Sequence, residues 1–316
     1  MEVPADRMPV RLLSIEELSR GTRLYEFARV DGVPLPDATA GSHIDIYLPN
    51  GLTRQYSLVL DGRPLKTYSV AVKDDPGSRG GSRYMHSEMH TGAELEISAP
   101  RNHFPLVESA DHTVLIAGGI GITPILSMLN RLNCLGRSFE LHYASRTRED
   151  MAFFELLQGM PGVDLHLDQE LGTVLDLDLI RKSALSESHF YCCGPLPMLK
   201  AFEKSMDGMP ADRVHVEYFS PKQAAATTGG FAIELARTKR TLFVKSGERI
   251  IDVLLGAGVN VPMSCEQGIC GSCETRVIAG TPDHRDQILT EAERLDGKSM
   301  MVCCSGSLSE RLVLDI

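Results

Sequence analysis

The chain has 316 residues, of which 43% are apolar and 23% charged, and its formal net charge is -10. The length exceeds one typical domain and suggests two or three, and the composition holds no tract that must stay disordered. The acidic balance, without any lysine-rich or arginine-rich run, argues against a nucleic-acid partner. The longest apolar run, residues 114–122, is broken by Gly118, Gly119 and Gly121 and falls short of the ~20 residues that span a bilayer. Residues 1–13 mix Glu2, Asp6 and Arg7 with two prolines and lack the apolar stretch of a signal peptide, so a cytoplasmic protein with no membrane partner is expected.

In the first third, short alternating segments separated by turn signals predict an antiparallel barrel: Ile44, Ile46 and Leu48, then Tyr68, Val70 and Val72, then Leu95 and Ile97. The barrel is expected to end within residues 106–112. Inside it, Arg54, Gln55, Tyr56 and Ser57 are similar to the flavin motif of ferredoxin–NADP reductase-type barrels. There the ring lies along the isoalloxazine, the hydroxyl meets its N5 and the guanidinium offsets phosphate charge. Arg and Tyr on one strand also serve as surface and packing residues. Downstream, Ser78, Arg79, Gly80, Gly81 and Ser82 form a glycine pair flanked by hydroxyl and guanidinium groups. Such a pair can wrap a phosphate with backbone N–H groups or simply turn a hairpin.

From Thr113 short apolar runs alternate with helix-period segments, the signature of a parallel sheet wound with helices. Strands are expected at 114–117, 139–144, 163–167 and 189–193. A helix carries Ile125, Met128, Leu129 and Leu132 at helical spacing, with Thr123 as its cap and Pro124 in its first turn. Gly118, Gly119 and Gly121 open that helix where its dipole favours a pyrophosphate, although the turn is not the GxGxxG fingerprint. Ser145 and Arg146 end one strand where they can meet a nucleotide ribose or phosphate. Cys193, Gly194 and Pro195 end another, and both Cys192 and Cys193 also suit an inert core.

Residues 220–230, rich in Pro, Ala, Thr and Gly, read as a linker. Beyond it Phe231, Ile233 and Leu235 alternate, 242–244 supplies a hairpin partner, and a short helix over 250–255 stops at Gly256. Five of the eight cysteines crowd into the last fifth of the chain. Cys265, four residues, Cys270, two residues, Cys273, and 29 residues to Cys303 is the plant-type [2Fe-2S] spacing. Gly268 and Gly271 would let backbone N–H groups approach the cluster sulfides. Four thiolates also suit a structural zinc, but zinc sites usually pair close cysteines at both ends. Cys303 and Cys304 are adjacent, so the spacing leaves the fourth ligand open.

The run from Cys265 to Cys273, the later Pro282, Asp283, His284, Arg285 and Asp286, and the terminal Leu312, Val313, Leu314, Asp315 and Ile316 resemble the ferredoxin domain of the phthalate dioxygenase reductase family. That family includes vanillate demethylase reductases, and the resemblance extends over nearly the whole chain. It implies a multidomain protein: an antiparallel β-barrel flavin domain over 1–107, an α/β parallel-sheet nucleotide domain over 108–222 and an α+β (β-grasp) ferredoxin domain over 229–316. By the same resemblance Cys303 is the fourth ligand and Cys304 packs behind it. FMN is held by Arg54, Tyr56, Ser57, Ala71, Val72, Lys73, Arg79, Gly80, Gly81 and Ser82. The nucleotide is held by Gly118, Gly119, Gly121, Thr123, Pro124, Ser145, Arg146, Cys193, Gly194 and Pro195. Thr123 also reaches the flavin. Cys193 and Ser57 flank the hydride step, and Phe219 covers the flavin until nicotinamide displaces it. The implied activity passes hydride from NADH to FMN, then single electrons through [2Fe-2S] to a Rieske-type terminal oxygenase. FAD or NADPH in place of FMN or NADH, and a redox-sensing module without turnover, are the alternatives.

Overall fold

The computed structural model describes residues 7–61 and 66–316. Six strands, β1 (Arg7–Ser19), β2 (Thr22–Arg29), β3 (His43–Tyr47), β4 (Thr53–Ser57), β5 (Tyr68–Lys73) and β6 (Glu94–Ser98), form one antiparallel sheet in the order β4-β3-β6-β1-β2-β5. Its two edges meet through an isolated bridge between Leu58 and Val70, where the Val59 N–H donates to Ser69 O at 2.8 Å, and the sheet closes as a barrel. Closure removes the unpaired edges an open sheet would expose. The alternating Val10, Leu12, Tyr25, Phe27, Ile44, Ile46, Val70 and Ile97 fill the interior. β1 and β2 are additional to the strands expected from alternation. A short helix, α1 (Gly81–Ser87), follows β5.

The second sheet is wholly parallel. It runs β11-β10-β7-β8-β9 from β7 (His112–Gly118), β8 (Ser138–Ser145), β9 (Val163–Leu167), β10 (His189–Cys193) and β11 (Val214–Glu217). The connections carry α2 (Ile122–Leu135), α3 (Phe154–Leu157), α4 (Asp168–Leu171), α5 (Leu177–Ser183) and α6 (Leu196–Ser205). Thr123 does not cap α2. A single 3-10 turn over Gly119–Gly121 runs straight into the helix, so Thr123 lies in its first turn and its hydroxyl donates back to Ile120 O at 3.1 Å.

Both sheets belong to one compact unit, Met1–Glu217. A buried hydroxyl joins them: Ser127 on α2 donates to Leu58 O at 2.6 Å and accepts from Leu60 N–H at 2.9 Å. Asn130, one turn on, donates to Leu60 O at 2.7 Å.

The other unit, Tyr218–Ile316, holds β12 (Phe231–Leu235), β13 (Arg240–Val244), α7 (Ile250–Gly256), β14 (Glu274–Ala279), β15 (Pro282–Asp283), α8 (Glu291–Asp296), β16 (Ser299–Met301), β17 (Gly306–Ser307) and β18 (Arg311–Leu314). Its main sheet runs β13-β12-β18-β14-β16, with β18 parallel to β12, and α7 packs Ile250, Ile251 and Leu254 into the core. Residues 220–230 have no helix or strand, but they are not a free linker throughout. Ala226 is buried and its N–H donates to Cys304 O at 2.7 Å, and Thr227 O accepts from Gly247 N–H. The stretch belongs to the second unit, and the backbone of Ala226 and Thr227 holds its second half there. Among the described residues, no helix is long and apolar enough to cross a membrane.

Ser127→Ala is expected to leave the Leu60 N–H and Leu58 C=O buried without partners, at a cost of about 1–3 kcal/mol to the first unit. Urea unfolding of the full chain, followed by a probe in the first unit, measures the loss.

Candidate functional site

The cysteine loop between α7 and β14 and the turn after β16 bring four thiols together. Cys265, Cys270, Cys273 and Cys303 are all buried, at 2%, 2%, 2% and 1% exposure. Cys265 lies within hydrogen-bonding reach of Cys270, and Cys273 of Cys303, while Cys265 also reaches Cys303. Backbone donors point at the sulfurs: Gln267 N–H to Cys265 at 3.3 Å, Cys265 N–H to Cys270 at 3.4 Å and Gly268 N–H to Cys303. One thiol of each pair gives up its proton readily. Cys270 is pushed down to about 6, first by Cys265, and Cys303 is held well below the thiol range by Cys265, Cys273 and Cys304. Four buried thiols brought together from one loop and one later turn are a donor set that fits a [2Fe-2S] cluster. Among the described residues no three His, Cys, Asp or Glu side chains form a single-ion site.

Gly268 has φ 69°, and a Cβ there would lie 2.5 Å from Cys304 Sγ. Cys304 therefore sits against the back of the loop, with its sulfur 3.7 Å from Met301 O. The neighbouring Cys303 sulfur first, and burial second, raise its thiol.

The residues expected to meet a flavin lie along β4, on β5 and at the turn into α1. The Arg54 guanidinium donates to Thr53 O at 2.7 Å and to Arg79 O at 2.8 Å, and a Cβ on Gly81 would lie 2.5 Å from its side chain. Residues 78–82 do not turn a hairpin. The chain reverses at Gly80, φ 88°, into α1, with the Ser82 hydroxyl donating to Ser78 Oγ at 3.0 Å and Gly80 N–H to the same oxygen at 3.3 Å. Guanidinium, hydroxyls and free helix N–H groups are a donor set that fits a phosphate. Tyr56 packs on the barrel core with its hydroxyl pushed up by burial, and Ser57 is buried. Along β5 the alternation separates the next three. The Val72 side chain points into the barrel, Ala71 joins the core cluster of Ile122 and Cys193, and Lys73 is exposed.

At the carboxyl end of the parallel sheet, two turns pack on each other. A Cβ on Gly121 would lie 2.3 Å from Cys193 O, one on Gly118 2.5 Å from Met198 Sδ, and one on Gly194 3.2 Å from Gly118 Cα. Gly118 and Gly121 are thus glycines for close packing, and Gly119 alone of the turn's three meets nothing within 4 Å. Thr123 and Pro124 are buried in the first turn of α2, and Pro195 leads into α6. Ser145 is buried at the end of β8, whereas Arg146 beside it is exposed. Cys193 is fully buried; burial, then Glu217 and Cys192, hold its thiol well above the ordinary range, so it is an uncharged wall of the site. Cys192 points to the opposite face, and burial raises it too. Phe219 falls in the other unit and is 37% exposed.

Sequence reasoning missed Glu217. It pairs in register with Cys193, its Oε2 is sealed from solvent without a hydrogen-bond partner, and burial pushes its pKa up to about 8. The available signal was an acid at the carboxyl end of a parallel strand, where α/β folds bind ligands.

Residues 115–204 match the oxidoreductase NAD-binding domain family and residues 233–306 the 2Fe-2S iron-sulfur cluster binding domain family. Phenoxybenzoate dioxygenase subunit beta of Ectopseudomonas oleovorans is 50% identical over 278 residues, 88% of this chain and 87% of that protein. The solved structure of phthalate dioxygenase reductase, described as a modular structure for electron transfer from pyridine nucleotides to [2Fe-2S], superposes with a TM-score of 0.74 at 36% identity over 98% of both chains. An intact type IV self-sufficient cytochrome P450 monooxygenase reaches a TM-score of 0.89 at 36% identity; 98% of this chain is covered but only 41% of that one. The chain is an oxidoreductase that joins an NAD-binding domain to a 2Fe-2S domain, and it belongs to the phthalate dioxygenase reductase family.

Proposed function

We propose that this protein is a cytoplasmic NADH-dependent reductase that holds FMN in its barrel and delivers single electrons through its cluster to a Rieske-type terminal oxygenase. The observation that carries the reading is the Ser127 junction. Leu58, whose carbonyl accepts the Ser127 hydroxyl, directly follows Ser57, and Ser127 lies one turn along α2 from Thr123. The strand end suited to a flavin and the glycine turn suited to a dinucleotide thereby share one dry junction. When bound, FMN takes a hydride as an electron pair and releases it singly, which suits a one-electron [2Fe-2S] acceptor.

The side chains bind, orient and exclude water. Arg54, Arg79, Gly80, Gly81 and Ser82 hold the FMN phosphate, Tyr56 lies along the ring system and the Ser57 hydroxyl hydrogen-bonds near its reactive edge. Ala71, Val72 and Lys73 line the same site, Val72 and Lys73 through their backbone. Gly119 and the start of α2 with Thr123 and Pro124 receive the NADH pyrophosphate, and Ser145 and Arg146 its ribose. Cys193, Gly194 and Pro195 leave room for the nicotinamide, and the protonated Glu217 carboxyl offers a donor to it. Cys265, Cys270, Cys273 and Cys303 hold the cluster. The domains span 1–107, 108–222 and 229–316. The dioxygenase subunit named above and the phthalate dioxygenase reductase structure support an oxygenase as the acceptor.

Anaerobic NADH should bleach both the flavin and the cluster absorbance of the purified holoprotein. Protein that contains both groups and does not respond to NADH would defeat the reading. Cys303→Ser should lose the iron and transfer to the oxygenase while ferricyanide reduction by NADH persists, and Cys304→Ser should keep two irons per chain; equal iron loss would refute the ligand assignment.

Glu217 yields a pH prediction. Its folded pKa, about 8, lies above the ordinary carboxyl value, so folding favours the protonated form. That contribution is complete below pH ~4.3 and is lost as the pH rises through about 8. Melting of the first unit should therefore fall across this window more in the wild type than in Glu217→Gln. Parallel curves for the two proteins would show that this carboxyl ionises normally.

A further inference from the structure

Behind the cysteine loop, residues 282–289 form a strap. Gln287 N–H donates to Gly268 O at 2.9 Å, Arg285 N–H donates to Ser305 Oγ at 3.2 Å, and Asp283 pairs with Gly306. The strap therefore ties the loop that carries three cysteines to the segment that follows the fourth. Asp286 lies at its centre, with none of its side chain exposed. Its Oδ2 accepts the backbone N–H groups of Ile288 at 3.1 Å and Leu289 at 2.9 Å. A Cβ on Gly268 would lie only 2.9 Å from Asp286 Cα, and Gly268 is the residue whose N–H points at Cys303.

The charge of this carboxylate is poorly neutralised. Arg294 donates to the main-chain oxygen of Asp286, and its guanidinium stays 3.7 Å from Oδ2. Oδ1 is buried without a hydrogen-bond partner, and the nearest His284 nitrogen, Nδ1, stands 3.8 Å away, itself buried and unpartnered. A sealed negative charge with two backbone donors and a distant cation acts through low dielectric on whatever lies beyond Gly268. A [2Fe-2S] cluster held by four thiolates is already anionic, and reduction adds one further negative charge. Net charge and hydrogen bonds to the sulfurs are the terms by which a protein sets cluster potential.

We propose that Asp286 sets the potential of the cluster: its buried carboxylate opposes reduction and keeps the reduced cluster a strong donor, while Arg294 partly offsets it. The proposal rests on the assignment of Cys265, Cys270, Cys273 and Cys303 as ligands. Asp286→Asn preserves size and an acceptor oxygen for Ile288 and Leu289 and removes only the charge.

The test is a spectroelectrochemical titration of the cluster in the full-length holoprotein, with iron content measured on each sample. Asp286→Asn should shift the midpoint potential to more positive values, and Arg294→Gln should shift it to more negative values by a smaller amount. Unchanged potentials in both variants, or shifts of the same sign, overturn the proposal while leaving the ligand assignment intact. Should Asp286→Asn fail to hold a cluster, Arg294→Gln decides alone: a negative shift supports the proposal and no shift overturns it. Wild-type protein without two irons per chain would overturn the ligand assignment and the proposal together.

Discussion

A hydride passes only between atoms held at contact distance, so the proposed activity depends on how rigidly the barrel meets the parallel sheet. Here that join is a buried hydroxyl. Ser127 is 1% exposed and bonds the chain on both sides of Val59, immediately beyond the strand end that carries Tyr56 and Ser57. Ala71 extends the contact by packing from the barrel into the core around Ile122 and Cys193. The two sheets thus behave as one unit, although each has its own core and its own hydrogen-bonding pattern.

The second unit answers a different demand. Electrons cross gaps that hydrides cannot, so its requirement is a stable, shielded set of sulfurs. Cys273 and Cys303 lie within one core with Met300, Met301, Val302 and Leu312, and backbone N–H groups of the loop donate to the sulfurs of Cys265 and Cys270. The capping box at Thr290 and Glu293 starts α8 just beyond Asp286, which fixes the far end of the strap behind that loop.

Much of this was legible in the residues because local periodicity and burial agree. The runs at 114–117, 139–144, 163–167 and 189–193 are strands of a parallel sheet, buried at its centre and half-exposed at the 163–167 edge, and the first half of β1 alternates buried with exposed residues. Cysteine spacing is equally direct, since ligand positions along one loop are set by chain geometry. Tertiary effects were not legible. Thr123 looks like a cap, but the 3-10 turn before it moves the helix start. Gly118 and Gly121 look like ligand glycines, yet a segment distant in sequence excludes a side chain at either position, through Met198 and Pro195 at Gly118 and through the backbone of Cys193 and Gly194 at Gly121. Glu217 carries no local mark that its Oε2 is sealed from solvent, because that depends on tertiary packing.

The composition of residues 220–230 reads as slack, but the hydrogen bond from Ala226 to Cys304 gives this stretch a mechanical meaning. Cys304 is the residue after Cys303, so tension on the incoming chain reaches a cluster sulfur through one hydrogen bond and one peptide. The stretch is held earlier too, where the Gln223 side-chain oxygen accepts from the Arg285 guanidinium at 3.1 Å. A change in chain length next to Ala226 would therefore bear directly on the segment that carries Cys303, whereas one before Gln223 would not.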